Sequence, residues 1–293
     1  MGPSNPLAPS DQQHASVQVR DHTDARRLSA VDVIGRWKDL IGLPDDALPL
    51  DEAALLISAA GNPGLDVAAQ LGRLDELAGA VPGQDVEALC AMLFSTLGLS
   101  GDSETYDDPR NSYLDQVLDR RLGIPISLSV LLIEIGRRCG VPLQGVGLPG
   151  HFLVRDPGSP DLFIDAFARG RRLGHKQCVA LLHATAGATM ALDPAMLAPI
   201  GPKVILARML ANLDQSFQRR SDRRSLVWVR HLRVLNPELS LALRIDLAGG
   251  LADLGAFDVA QTLLEDLDGD QRLDSELADS IRMRATQVRA RLN

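Results

Sequence analysis

Between Ile126 and Ile135 nearly every residue is apolar: Ile126, Leu128, Val130, Leu131, Leu132, Ile133 and Ile135. An apolar run without a polar stripe at helical spacing predicts a helix buried on most sides, not one lying on a surface. Whatever fold the chain adopts has to wrap this segment. Its limits are marked by the flanking residues. Pro125 suits a first helical turn, where a missing N–H costs nothing. Arg137 and Arg138 fall in the last turn, Gly140 can take a left-handed cap, and Pro142 forbids continuation.

Two short extended segments follow, separated by Pro149-Gly150, and the second opens on His151. In HFLVRD the side chains of His151, Leu153 and Arg155 share one face, and those of Phe152 and Val154 the other. DPGSPD is a turn, and LFIDAF puts Asp165 on the face of Phe163 and Phe167. Strands joined by so short a loop are expected to pair antiparallel, which brings Asp165 toward His151.

Helical spacing accounts for most of the rest. A first helix is expected over Ser29 to Ile41, carrying Val31, Val33, Ile34, Trp37 and Ile41 inward. A second is capped by Asp51 and ends at Gly61. Two more run from Leu65 to Ala80 and from Asp85 to Leu97, and a short one from Asn111 to Arg121. From Pro202 the chain is helical again to its end. At 293 residues it has room for about two domains with their own cores. The expected organisation is a disordered polar tail over 1–28, a helical region over 29–105, a central core over 106–198 and a helical region over 199–293.

The totals restrict the function classes. A net charge of −8 leaves no basic face for a phosphate backbone, so nucleic acid is not an expected partner. No apolar run reaches the ~20 residues that span a bilayer. The N-terminus lacks the basic-then-apolar layout of a secretory signal. Cys90, Cys139 and Cys178 are an odd, widely spaced set that fits a reducing cytoplasm better than a disulfide framework. No HExxH, CxxC, GxGxxG or Walker-type loop is present, so no metal or cofactor is expected.

The segment DDPRNSYLDQVLDRRLGIPISLSVLLIEIGRRCGVPLQGVGLPGHFLVR, followed by LFIDAF, resembles the bacterial transglutaminase-like family named for the invasion regulator SirB. The likeness is close over 107–170. It extends to the N-terminal WKDLIGLPDDALPLDEAALLI and to a C-terminal stretch whose Leu247, Ala248, Gly255, Phe257, Ala260 and Leu264 resemble one tetratricopeptide repeat. It implies an α+β fold: a papain/transglutaminase-like core, with a buried helix on an antiparallel sheet, between N-terminal helices and an all-α tetratricopeptide-like region.

The resemblance also implies a site. The wider superfamily works through Cys-His-Asp: a thiolate attacks a carbonyl, the imidazole moves the proton, and the carboxylate holds the imidazole tautomer. His151 and Asp165 match the second and third members, and a buried structural His–Asp pair is the competing reading. The place of the thiol falls near Pro125, which carries no nucleophile. Ser127, two residues on, is the remaining candidate, although a hydroxyl gains far less than a thiol from a helix dipole; its competing role is to bond backbone in the first turn. Cys139 lies at the opposite end of the helix, and Cys90 and Cys178 read as packing residues. Asn111 and Tyr113, in the DPRNS-type motif, and Gly150 beside His151 are the substrate-binding candidates. The expected function is a peptide- or protein-binding regulatory module with a degenerate His-Asp site. The alternative is an unusual hydrolase or acyltransferase using Ser127 with His151 and Asp165.

Overall fold

A computed structural model describes residues 30–292, so the expected tail over 1–28 lies outside the described residues. Four helices lead in: α1 (Ala30–Ile41), α2 (Leu50–Gly61), α3 (Val67–Gly79) and α4 (Val86–Cys90), the last continuing as one π-helical turn over Ala91–Thr96. Asp66 and Asp85 cap α3 and α4 by accepting the N–H of Ala69 and Ala88. Asp51, expected to cap α2, does not. The helix begins one residue earlier, at Leu50, and Asp51 is buried inside it, ion-paired with arginines of the central helix. A two-residue parallel pair, β1 (Ser100–Gly101) and β2 (Leu122–Gly123), brackets α5 (Leu114–Arg120).

The apolar run forms α6 (Pro125–Arg138), in which every residue from Pro125 to Gly136 is buried. It ends in a two-bond cap: Val141 N–H donates to Gly136 O at 2.8 Å and Gly140 N–H to Arg137 O at 3.4 Å. The cap places Gly140 at φ +80°, where any side chain is strained. The chain then enters an antiparallel sheet of β3 (Gln144–Val146), β4 (Leu153–Arg155), β5 (Phe163–Asp165), β6 (Arg171–Leu173) and, after α7 (His175–Ala186), β7 (Pro199–Ile200). The strand order is β6-β5-β4-β3-β7. In the β4–β5 register Val154 faces Ile164 and Arg155 faces Phe163. Val154 and Ile164 pack with α6, while Leu153, Phe163 and Leu173 pack with Cys178 and Leu182 of α7. The sheet is thus covered on both faces.

The C-terminal part consists of α8 (Pro202–Arg219), α9 (Arg223–Leu235), α10 (Leu241–Asp253), α11 (Phe257–Asp268) and α12 (Ser275–Leu292). Its packing does not follow the expected boundary at 199. Ile205, Leu206, Met209, Leu210, Leu213 and Phe217 of α8, with Leu226, Val229 and Leu232 of α9, belong to the same apolar cluster as α1, α2 and α6. The second cluster is confined to Val234 and the last three helices, where fully buried Ala260 lets α10 and α11 approach closely. The division falls near residue 235 because most apolar residues of α8 and α9 join the cluster of α1, α2 and α6, while Val234 at the end of α9 turns to α10. Among the described residues no helix is long and apolar enough to cross a membrane.

Candidate functional site

A cleft of about 500 Å³ opens where the start of α6, the loop before β4 and the side of α8 meet. Ile124, Pro125 and Ile126 form one wall; Gly150, His151 and Phe152 another; Arg208, Asn212, Gln215, Ser216 and Arg219 of α8 a third. His151 precedes β4 instead of opening it, since the chain turns at Pro149-Gly150 and the ladder begins at Leu153. Gly150 sits at φ +70°, and a Cβ there would lie 2.9 Å from Thr185 Cβ, so this turn needs glycine.

The structure brings His151 and Asp165 together, both buried. His151 Nε2 lies 3.0 Å from Asp165 Oδ1, and Asp165 also accepts the Ala168 N–H at 3.2 Å. Burial alone would raise the Asp165 pKa. The hydrogen bond and charge of His151 outweigh it, helped by the Ala168 N–H and Arg171, and the carboxyl is held below its usual range. An ionised carboxylate only accepts, so the ring donates from Nε2–H and Nδ1 is left without a proton when the imidazole is neutral. The ring also makes a T-shaped contact with Phe167, as Phe167 does with Tyr106, at 6.0 Å between centroids in both pairs.

This pair has a measurable consequence. Asp165→Ala is expected to cost about 1–3 kcal/mol, because a buried donor loses its acceptor. The folded pKa of Asp165 lies below the unfolded one. Its contribution is therefore present above the unfolded carboxylate range and is lost as pH falls through the folded value. Urea denaturation should accordingly show a large gap between variant and wild type at pH 7 that narrows toward pH 3. A gap independent of pH would mean that the carboxylate charge is not what stabilises.

The candidate nucleophile of the alternative reading is not in the cleft. Ser127 is fully buried, and its Oγ donates to Asn111 O at 2.6 Å while accepting the Ile124 N–H at 3.1 Å. The second of these bonds satisfies the N-cap donor of α6, the reciprocal half of a capping box. Ser127 is thus turned toward backbone, in line with its competing reading. Ser127→Ala is expected to lower stability by about 0.5–1.5 kcal/mol, since the buried Oγ–H bond to Asn111 O is lost while the Ile124 N–H keeps Asn111 O as an acceptor at 3.3 Å, and to leave the cleft intact. A melting curve together with a peptide titration measures both. The thiols do not replace it. None of the three cysteines lines the cleft, and burial pushes the Cys90 and Cys178 thiols up to about 11.

Two substrate-binding candidates also prove to be structural. Asn111 is fully buried: its Nδ2 donates to Asp102 Oδ2 at 3.0 Å and Thr105 O at 2.8 Å, and its Oδ1 accepts from Arg120 at 2.9 Å. It ties down the loop that precedes it. Tyr113 points at α2, close enough that a Cβ on Gly61 would meet its hydroxyl at 2.6 Å, and burial raises its pKa. Of the three candidates Gly150 alone lines the cleft, and the neighbouring Ser112 does so in place of Asn111. The α8 residues were missed, yet a signal existed: Arg208, Asn212, Gln215 and Arg219 recur at i, i+4, i+7 and i+11, a polar stripe along one side of the helix.

A family model described as the transglutaminase-like superfamily matches residues 65–211, running past the sheet into α8. A UPF0162 protein of Xylella fastidiosa (strain 9a5c) is 37% identical over 196 residues, which is 62% of this chain and 69% of that one. A UPF0162 protein of Vibrio cholerae is 34% identical over 186 residues, 59% and 68% of the two chains. F-box only protein 21 of Homo sapiens is 37% identical over 155 residues, covering 46% of this chain and 23% of that much longer protein.

Proposed function

Given that the chain belongs to the transglutaminase-like superfamily, we propose that it is a SirB-type member whose cleft binds a peptide or protein segment without thiol chemistry. In this reading His151 and Asp165 are the retained part of a degenerate triad. The observation that carries it is the wall facing His151: Pro125 stands at the start of α6, where the superfamily's thiol would be, and among the described residues no side-chain hydroxyl or thiol is bonded to the imidazole. Ser216 and Thr185, which also line the cleft, donate to the carbonyls of Asp107 and Pro149. A site that keeps its cleft and its imidazole but has no nucleophile on the ring is suited to holding a chain, not to cleaving one. The last three helices, a tetratricopeptide-like unit with its own core, supply a second docking surface for the partner. The setting is the cytoplasm.

The test pairs binding with reactivity. A random peptide library is panned on the full chain, and selected peptides are mapped by chemical-shift perturbation of cleft residues. In parallel the chain is exposed to serine- and cysteine-directed acyl probes, with His151→Ala as control. Peptides that map to the cleft, without acylation that depends on His151, are the expected result. Labelling that His151→Ala abolishes would restore an acyl-transfer enzyme.

A further inference from the structure

Charge within the cleft is not balanced. Asp107 is paired with Arg219 and Asp108 with Arg110, and His151 has Asp165. Arg208 has no carboxylate. Among the described residues its half-buried guanidinium meets only backbone carbonyls: Nη1 donates to Gly147 O at 2.9 Å, and Nη2 to Leu148 O and His151 O, each at 2.9 Å. The side chain stacks over Phe152, 5.6 Å from the ring centroid. It is also so close to the main chain that a Cβ on Gly147 would lie 2.7 Å from Nη1. A guanidinium carries five N–H donors, so three bonds to carbonyls leave two unused and the full positive charge uncompensated.

A cation withdrawn from water and given no anion is costly, and burial accordingly lowers the Arg208 pKa, with Tyr106 opposing. The carbonyls fix where the charge points without neutralising it. The opposite wall has the same sign: the first turn of α6 presents its positive end at Ile124–Ile126, with no side-chain cap from Ile124. Between the two walls, Ser112, Asn212 and Gln215 have no side-chain partners among the described residues. Such a cleft is built to receive an acceptor.

We propose that the cleft recognises a carboxylate, bound through the free N–H groups of Arg208 with Asn212 and Gln215 beside it. This rests on the peptide-binding reading and names its ligand chemistry. The carboxylate has two possible sources, the free C-terminus of a peptide or an acidic side chain, and both place the same two oxygens against the guanidinium.

The test uses the full chain and four tripeptides observed by NMR: acetyl-Ala-Ala-Ala as acid and as amide, and acetyl-Ala-Glu-Ala-amide against acetyl-Ala-Gln-Ala-amide, with glutarate as a small dicarboxylate. At least one acid is expected to shift the Arg208 and Asn212 side-chain resonances and to bind about ten- to a hundredfold tighter than its neutral twin. Raising the salt should erase that preference. The pair that discriminates identifies the source. Arg208→Gln should remove the preference, and Arg208→Lys, which keeps the charge, should retain part of it. The salt series on wild type tests the same point even if either variant fails to fold. Acid and amide binding the cleft equally would overturn the carboxylate and leave the peptide-binding reading standing. Glutarate binding the cleft while no tripeptide does would support the carboxylate and overturn the peptide. No response from any of the five would overturn the proposal.

Discussion

Arg138→Ala is expected to destabilise the protein by about 3–5 kcal/mol, and to do so less at low pH than at high. The side chain is 11% exposed and sits among three acids. It donates to Asp51, to Asp75 at 2.7 Å and to Glu134 Oε2 at 3.3 Å, and also bonds the Glu134 carbonyl at 3.0 Å. Asp51 and Glu134 are buried, and their other cation, Arg137, is largely exposed and screened by water. Truncation therefore leaves two buried carboxylates facing each other. Burial and the Asp51 charge already raise the Glu134 pKa, against the pull of Arg137 and Arg138. A carboxyl whose folded pKa exceeds its unfolded one favours the folded state more as pH falls through that interval. The deficit of the variant relative to wild type should then be largest near pH 8 and shrink toward pH 5. Equal deficits at both would show that the network works by packing alone.

Trp37→Ala is expected to cost a similar amount, about 3–5 kcal/mol. The indole has no exposure at all, and its Nε1–H donates to Leu232 O at 3.2 Å. The bond joins α1 to α9 across most of the chain. Removing the ring opens a cavity in the main apolar cluster and strands a carbonyl near the end of α9. Trp37→Phe, which refills part of the space, should lose less. The chain has two tryptophans, so Trp228 in α9 remains as a reporter. Its fluorescence transition in urea is expected to move together with the far-ultraviolet signal, because α1 and α9 share one core. A loss below ~1 kcal/mol, or an unmoved Trp228 transition, would mean that the N- and C-terminal helices are independent.

Much of this architecture is legible in the residue order. The central helix, its proline start and its glycine stop follow from contacts within a few residues, as do the caps at Asp66 and Asp85. The approach of His151 to Asp165 is legible for a related reason: a short loop between alternating segments leaves antiparallel pairing as the economical solution. Asp51 misleads because an acid at a helix start has two uses, and here arginines 86 and 87 residues away claim it.

The readings that failed all depended on what comes near from far along the chain. Ser127 faces backbone because the Asn111 carbonyl, 16 residues earlier, is brought beneath it. Arg208 reaches Gly147 O across 61 residues, and through that contact α8 becomes a wall of the cleft, not the first helix of a separate unit. Caps, turns and the interior helix are matters of local sterics and hydropathy, and the residue order alone specifies them. Which hydroxyl meets the imidazole, and which helix closes the cleft, depends on how distant surfaces pack, and that is settled when the chain condenses around α6.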